Sequence, residues 1–305
     1  MMVPRTQPLG IMIHGLHEND KKKVSQGSIN FKKLENFVKK NQSRILKPDI
    51  WLDYLKKNKL KKNHLCITFD DNLTSHFFFT KKILDKYKIK AFFFIYSSIY
   101  KSKNTIFEIF RYFYNKRFKN FAKFYIKFEE FVLKETDISQ KKLIKSKNYL
   151  NKFKFYSVED KKFRYLRDKM LKQNQFEYLV KKFMNTYKFD YKSKSLEKKI
   201  WLSKKMIKIL SKDGHEIGLH SHTHNRNLYK MNYSEQLNEF SKNYVFIKNI
   251  TKKIPRSASY PFNSYNKYTL KILKKLKIEA CFLSNNNKIY NNNPLKLCRI
   301  DIGEL

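Results

Sequence analysis

Residues 65–96, LCITFDDNLTSHFFFTKKILDKYKIKAFFFIY, decide the fold class. LCITF (65–69) and AFFFIY (91–96) are continuous apolar runs of strand length, the texture of strands covered on both faces. The residues between them, through about Tyr87, have the length of a helix. Strand, helix, strand at this spacing predicts a parallel sheet with crossover helices. The pattern extends outward in both directions. LGIMI (9–13) reads as an earlier buried strand entering a loop at His14-Gly15, and 31–40, apolar at 31, 34, 37 and 38, reads as a helix. Downstream, 201–210 reads as an amphipathic helix, Glu216–Leu219 as a strand, 234–251 as a helix and SASY (257–260) as a strand. A helix at 267–276 and strands near 279–283 and 297–302 follow, with 285–294 a polar loop.

From about 100 to 199 the texture changes to alternating aromatics and lysines with no glycine, which predicts a helical insertion into one α/β domain spanning 1–305. Two readings of that texture are open. It suits a cap that frames the substrate entrance, stacks on sugars and meets phosphate or an anionic membrane face, and it equally suits a helical packing add-on without contact to substrate.

The chain has 67 Lys+Arg against 26 Asp+Glu, a formal net charge of +41, with 41% hydrophobic and 16% aromatic residues. The apolar content excludes a disordered chain, and 6 Gly with 6 Pro exclude collagen-like and Pro-rich repeats. No apolar run approaches the roughly 20 residues of a membrane span. MMVPRTQPLGIMIHG lacks the h-region of a secretory signal, so a cytoplasmic location is expected. Cys66, Cys281 and Cys298 show neither CxxC spacing nor a disulfide pattern. Lys, Asn, Ile, Phe and Tyr are abundant together, which AT-rich coding alone produces, and an acidic partner such as an anionic sugar or lipid phosphate is the competing reading. Nucleic acid is the least supported, because no zinc-finger spacing or RNP-like motif is present.

Four of the eight histidines, His215, His220, His222 and His224, fall in GHEIGLHSHTH (214–224). On a helix or helical turn His220 and His224 share a face and can share a metal; a solvated polar loop is the alternative. Asp70 and Asp71 end a buried strand, where α/β folds place active sites. Adjacent buried carboxylates repel without a cation, although an exposed Asp-Asp opening a turn would not need one. One carboxylate and two imidazoles leave open positions on a divalent ion, a catalytic arrangement, and the second carboxylate is then placed to take a proton from water.

These residues resemble the polysaccharide deacetylase family, the NodB-homology or carbohydrate esterase 4 family. ITFDDN (67–72) resembles its TFDD motif, and GHEIGLHSHTH its H-[ST]-x-x-H motif, mapped on His220, Ser221 and His224. SYPFNSYN (259–266) is similar to R-x-P-[YF]-G, AFFFI (91–95) to ATFFV, and IMIHG (11–15) to the LxYHxV strand of the exopolysaccharide branch. The resemblance implies a distorted (β/α) barrel of about seven strands and metal-dependent removal of an N-acyl group from an amino sugar. It implies that Asp71, His220 and His224 hold a divalent ion, with zinc first, that Asp70 is the general base, and that the Phe262 main-chain N–H stabilises the oxyanion. His14 is the substitute for the general acid, since no late L-x-x-H element is present; a strand-capping histidine is the competing reading, and His17 a second candidate. His215 and His222 read as structural or supporting groups, and Cys66 as core. Ser259 stands where the motif has Arg, Asn263 where it has Gly, and Asn72 where Gly often follows TFDD. The expected substrate is an amino-sugar glycan or its nucleotide- or lipid-linked precursor. The rival reading is a degenerate member binding anionic glycan or lipid headgroups through the basic insertion, and a third is an amidase acting on a non-sugar amide.

Overall fold

The computed structural model describes residues 3, 6–17, 28–101, 106–151, 157–285 and 293–305. Seven strands form one parallel sheet: β1 (Leu9–Ile13), β4 (Leu65–Phe69), β5 (Phe92–Ile95), β6 (Glu216–Leu219), β7 (Ser257–Ser259), β8 (Ala280–Phe282) and β9 (Arg299–Asp301). Two further strands, β2 (Gly15–His17) and β3 (Ser28–Asn30), pair in parallel apart from it. The order in the large sheet is β8-β7-β6-β5-β4-β1-β9. The amide of Leu283 donates to Leu297 O and that of Leu297 to Cys281 O, tying β8 to the segment entering β9. The sheet is therefore nearly closed, and the expected distorted (β/α) barrel is observed.

Side-chain alternation divides the strands. Phe93, Ile67 and Phe69 pack outward in the core shared with the helices, whereas Phe92, Phe94, Cys66, Ala280 and Phe282 form a second core. In that second core the Phe282 ring lies 5.2 Å from Phe92 and 5.5 Å from Phe94. Trp51, Leu52 and Leu55, from a helix Pro48–Lys56 that the sequence reading did not anticipate, join it. Close strand contact demands glycine at 218, where a Cβ would fall 2.5 Å from Ser257 Oγ and 2.7 Å from the Phe94 ring.

The expected helix at 201–210 begins later, as Lys204–Lys212. Ser203 caps it by accepting from the Met206 amide. Trp201 instead bridges Leu73, and the Leu202 amide donates to Asn72 O. The large buried indole, whose Nε1–H donates to Tyr96 Oη, is worth more packed there than in a first helical turn. The polar loop expected at 285–294 lies mostly outside the described residues.

Among the described residues, 106–151 and 157–200 make a compact unit of their own. Its helices include Ile106–Arg117, Phe121–Glu135, Val158–Tyr165 and Gln173–Thr186. Phe110, Phe113, Phe124, Phe128, Phe163, Phe176 and Phe183 are all buried among them. Phe110 alone sits 5.2 Å from Phe128 and 5.4 Å from Phe124. These phenylalanines are that unit's own core, not a sugar-stacking surface. No helix among the described residues is long and apolar enough to cross a membrane.

Candidate active site

Three loops at the carboxyl ends of β4, β6 and β7 carry the motif residues. After β4, Asp70 and Asp71 are buried, and Asp71 takes a left-handed φ of +74°. Ser221 and His224 (φ +58° and +54°) and Phe262 and Asn263 (φ +51° and +58°) do likewise in the other two loops. Left-handed non-glycine residues cost free energy, and their concentration where the motifs meet marks a site that the surrounding fold over-determines.

Residues 220–224 are not helical, so no helix face brings His220 and His224 together. A turn does. The His224 amide donates to Ser221 Oγ, and the helix Tyr233–Thr251 braces the loop from behind. Asn243 of that helix accepts from the His220 amide and donates to Ile95 O, while Glu239 accepts from the amides of His222 and Thr223.

The outcome is a cluster in which one donor atom each from Asp71, His220 and His224 lies within 4.8 Å of the others. His220 Nε2 is 3.6 Å and His224 Nε2 3.2 Å from Asp71 Oδ1. Tetrahedral ligands about 2.1 Å from a common ion are roughly 3.4 Å apart, so the donor set fits a zinc-sized cation. His220 Nδ1 lies 2.9 Å from Ser259 O, an acceptor only. Nδ1 therefore donates to that carbonyl, which leaves Nε2 as the ring nitrogen facing Asp71. Burial alone would raise the Asp71 carboxyl, yet the His224 and His220 imidazoles hold it well below the ordinary carboxylate range. Burial lowers His224, although Asp71 raises it. Tyr96 stacks on one side of His224 with centroids 5.1 Å apart, and the half-exposed Phe262 ring is 5.0 Å away.

Asp70 faces the same end of the barrel but pairs differently. Arg299 donates from Nη1 to Oδ1 at 2.8 Å and from Nη2 to Oδ2 at 2.7 Å. Burial raises the Asp70 carboxyl, but the Arg299 charge outweighs it and the group is lowered to about 2. It is ionised throughout the neutral range. His14, at the end of β1, has Nδ1 3.7 Å from Asp301 Oδ2. Burial lowers its pKa, but Asp301, with Asp71 and Asp70 behind it, raises it on balance.

His76 Nε2 is 2.7 Å from His14 O, and burial lowers it to about 4. His215 Nδ1 accepts from the Ala91 amide, His222 Nδ1 lies 2.8 Å from Ser97 Oγ, and His17 sits in β2. Cys66 is buried in the barrel core.

Sequence reasoning gave no role to Arg299 or Asp301, although two charged residues alternating in the buried run RIDI were a signal. The two asparagines that replace motif glycines keep the left-handed turn and add ties. Asn72, at φ +48°, accepts from the Tyr96 amide and donates to Tyr96 O, both at 3.0 Å. Asn263 Oδ1 accepts from the Ser284 amide.

The class that the fold and cluster define is a parallel α/β barrel with an Asp-His-His donor cluster at its carboxyl end. The family model described as polysaccharide deacetylase matches residues 163–281, so the resemblance read from the motifs holds. No protein of curated function matches the chain by sequence. Among solved structures, the Streptococcus pyogenes deacetylase PplD in complex with acetate is 14% identical, with 98% of this chain and 93% of that one covered and a TM-score of 0.58. IcaB from Ammonifex degensii is 12% identical, with 97% and 92% covered and a TM-score of 0.56. A de-N-acetylase from Aggregatibacter actinomycetemcomitans is 13% identical, with 97% and 94% covered and a TM-score of 0.54. These three share the barrel fold with this chain.

Proposed function

We propose that the protein is a metal-dependent hydrolase that removes an N-acyl group, N-acetyl first, from an amino sugar in a surface polysaccharide or its nucleotide- or lipid-linked precursor. The observation that carries this reading is the buried cluster of Asp71, His220 and His224, with donor atoms spaced for one divalent ion. Zinc suits two imidazoles and a carboxylate. When bound, the ion supplies Lewis acidity toward the amide carbonyl and toward water. Asp70, ionised and adjacent, accepts the proton of the attacking water. The Phe262 N–H donates to the oxygen that gains charge. His14, whose proton Asp301 helps retain, gives it to the departing amine as the C–N bond breaks. Location in the cytoplasm and contact with an anionic membrane surface through the lysines of 100–199 belong to the same proposal, since a lipid-linked precursor would be met there.

The test is metal content and acetate release from N-acetylglucosamine oligomers, measured together. His220→Ala is expected to lose most of the metal and the activity. Asp70→Asn is expected to keep the metal while kcat falls by roughly 10²–10⁴-fold. Equal metal in wild type and His220→Ala, or an Asp70→Asn enzyme active within about threefold, overturns the assignment.

A further inference from the structure

We propose that Arg299, on the last strand of the barrel, is the positioning residue that fixes the Asp70 carboxylate, and that it supplies from β9 the guanidinium that position 259 of this chain cannot. The proposal rests on the reading of Asp70 as the base. Arg299 is fully buried and every one of its five N–H groups has an acceptor. Nε donates to Leu283 O at 2.6 Å. Nη1 donates to Thr68 Oγ1 at 3.1 Å and to Asp70 Oδ1 at 2.8 Å. Nη2 donates to Asp70 Oδ2 and to Ser259 Oγ, both at 2.7 Å. A planar fork with no unused donor cannot turn without breaking bonds, so it sets the plane of the carboxylate it grips.

The remaining contacts select an oxygen. Ser259 Oγ also lies 3.3 Å from Asp70 Oδ2, which leaves Oδ1 with the less engaged lone pair. Oδ1 is the atom that takes the proton.

The neighbours are shaped for this guanidinium. At Gly10 on β1 a Cβ would come 2.8 Å from Arg299 Cγ, so only glycine admits the stem there. Phe94 lies under the guanidinium, 5.8 Å from ring centroid to Cζ. At 259 a side chain longer than serine would enter the volume that Nη2 fills. Ser259 and Arg299 are thus alternative ways of occupying one space, and the arginine missing from SYPFN is replaced by one from 40 residues further along the chain.

The experiment uses the full chain with zinc bound and follows acetate release from an N-acetylglucosamine tetramer, with zinc content and thermal midpoint measured on each variant. Arg299→Lys keeps the charge and loses the fork. It is expected to lower kcat by roughly 10–100-fold, with KM within about threefold and zinc unchanged. The double variant Ser259→Arg/Arg299→Ala returns a guanidinium from β7 and is expected to recover about tenfold or more of the kcat lost in Arg299→Ala. A folded Arg299→Lys with kcat within about threefold of wild type overturns the proposal, as does a folded double variant no faster than Arg299→Ala. If either alanine-bearing variant fails to fold, Arg299→Lys alone decides. A zinc-loaded wild type that releases no acetate overturns the deacetylase reading itself, and that is seen before any variant is made.

Discussion

His215 and Glu216 are sequence neighbours at the entrance to β6 whose burial acts in opposite directions. Burial holds the His215 imidazole down at about 4, and burial pushes Glu216 up to about 7. Below its unfolded value of about 6.5 the unfolded histidine binds a proton that the native one refuses, so its effect is a loss of stability as pH falls from about 6.5 to about 4. Glu216 behaves oppositely: the native group keeps a proton that the unfolded one releases, and stability is lost as pH rises from about 4.5 to about 7. The two nearly offset. His215→Asn leaves an acceptor for the Ala91 amide and removes only the first effect. Relative to wild type it is expected to gain roughly 2–3 kcal/mol between about pH 7 and about pH 4.5. Urea unfolding at the two pH values checks this, and parallel pH dependence in both proteins counts against it.

Within the elements, β9 carries Arg299 and Asp301 two residues apart, one gripping Asp70 and the other facing His14. Successive side chains of a strand alternate, so both point to one face. The neighbouring strand β1 must accommodate the stem of Arg299, and Gly10→Ala tests that packing. A methyl group 2.8 Å from Arg299 Cγ displaces a buried carbon, not a flexible tip. The expected cost is about 1–3 kcal/mol in thermal or denaturant unfolding, and acetate release falls while bound metal is retained. Unchanged stability would show that the strand yields without strain.

Over the whole molecule the formal charge is +41. Self-repulsion of this size opposes the compact state and is screened by salt, with a Debye length of about 30 Å at 0.01 M and about 8 Å at 0.15 M. The thermal midpoint should therefore rise as sodium chloride is added over this range. A midpoint that falls with salt would mean that favourable ion pairs, such as the Arg256–Glu279 and Lys81–Asp213 contacts, outweigh the repulsion.

By itself the residue pattern determined a parallel sheet with crossover helices, because strands buried on both faces are uniformly apolar and helices between them keep their own period. Its closing into a barrel was implied only by the resemblance of the motifs to the polysaccharide deacetylase family. Strand ends also pointed to Asp70-Asp71 and the histidines of HSHTH as candidate ligands, and the resemblance of TFDD and HSHTH to the family motifs implied the set Asp71, His220 and His224. Only the tertiary structure decided how that group forms: a non-helical turn with left-handed Ser221 and His224 stands where a helix or helical turn was expected. Phe110, Phe113, Phe124, Phe128, Phe163, Phe176 and Phe183 were legible as apolar, but burial is not written in composition, and only packing showed them filling their own core. The arginine on Asp70 was hidden for the same reason. Its partner is 229 residues away in sequence, and no local period or spacing encodes a contact that exists only because β9 closes beside β1.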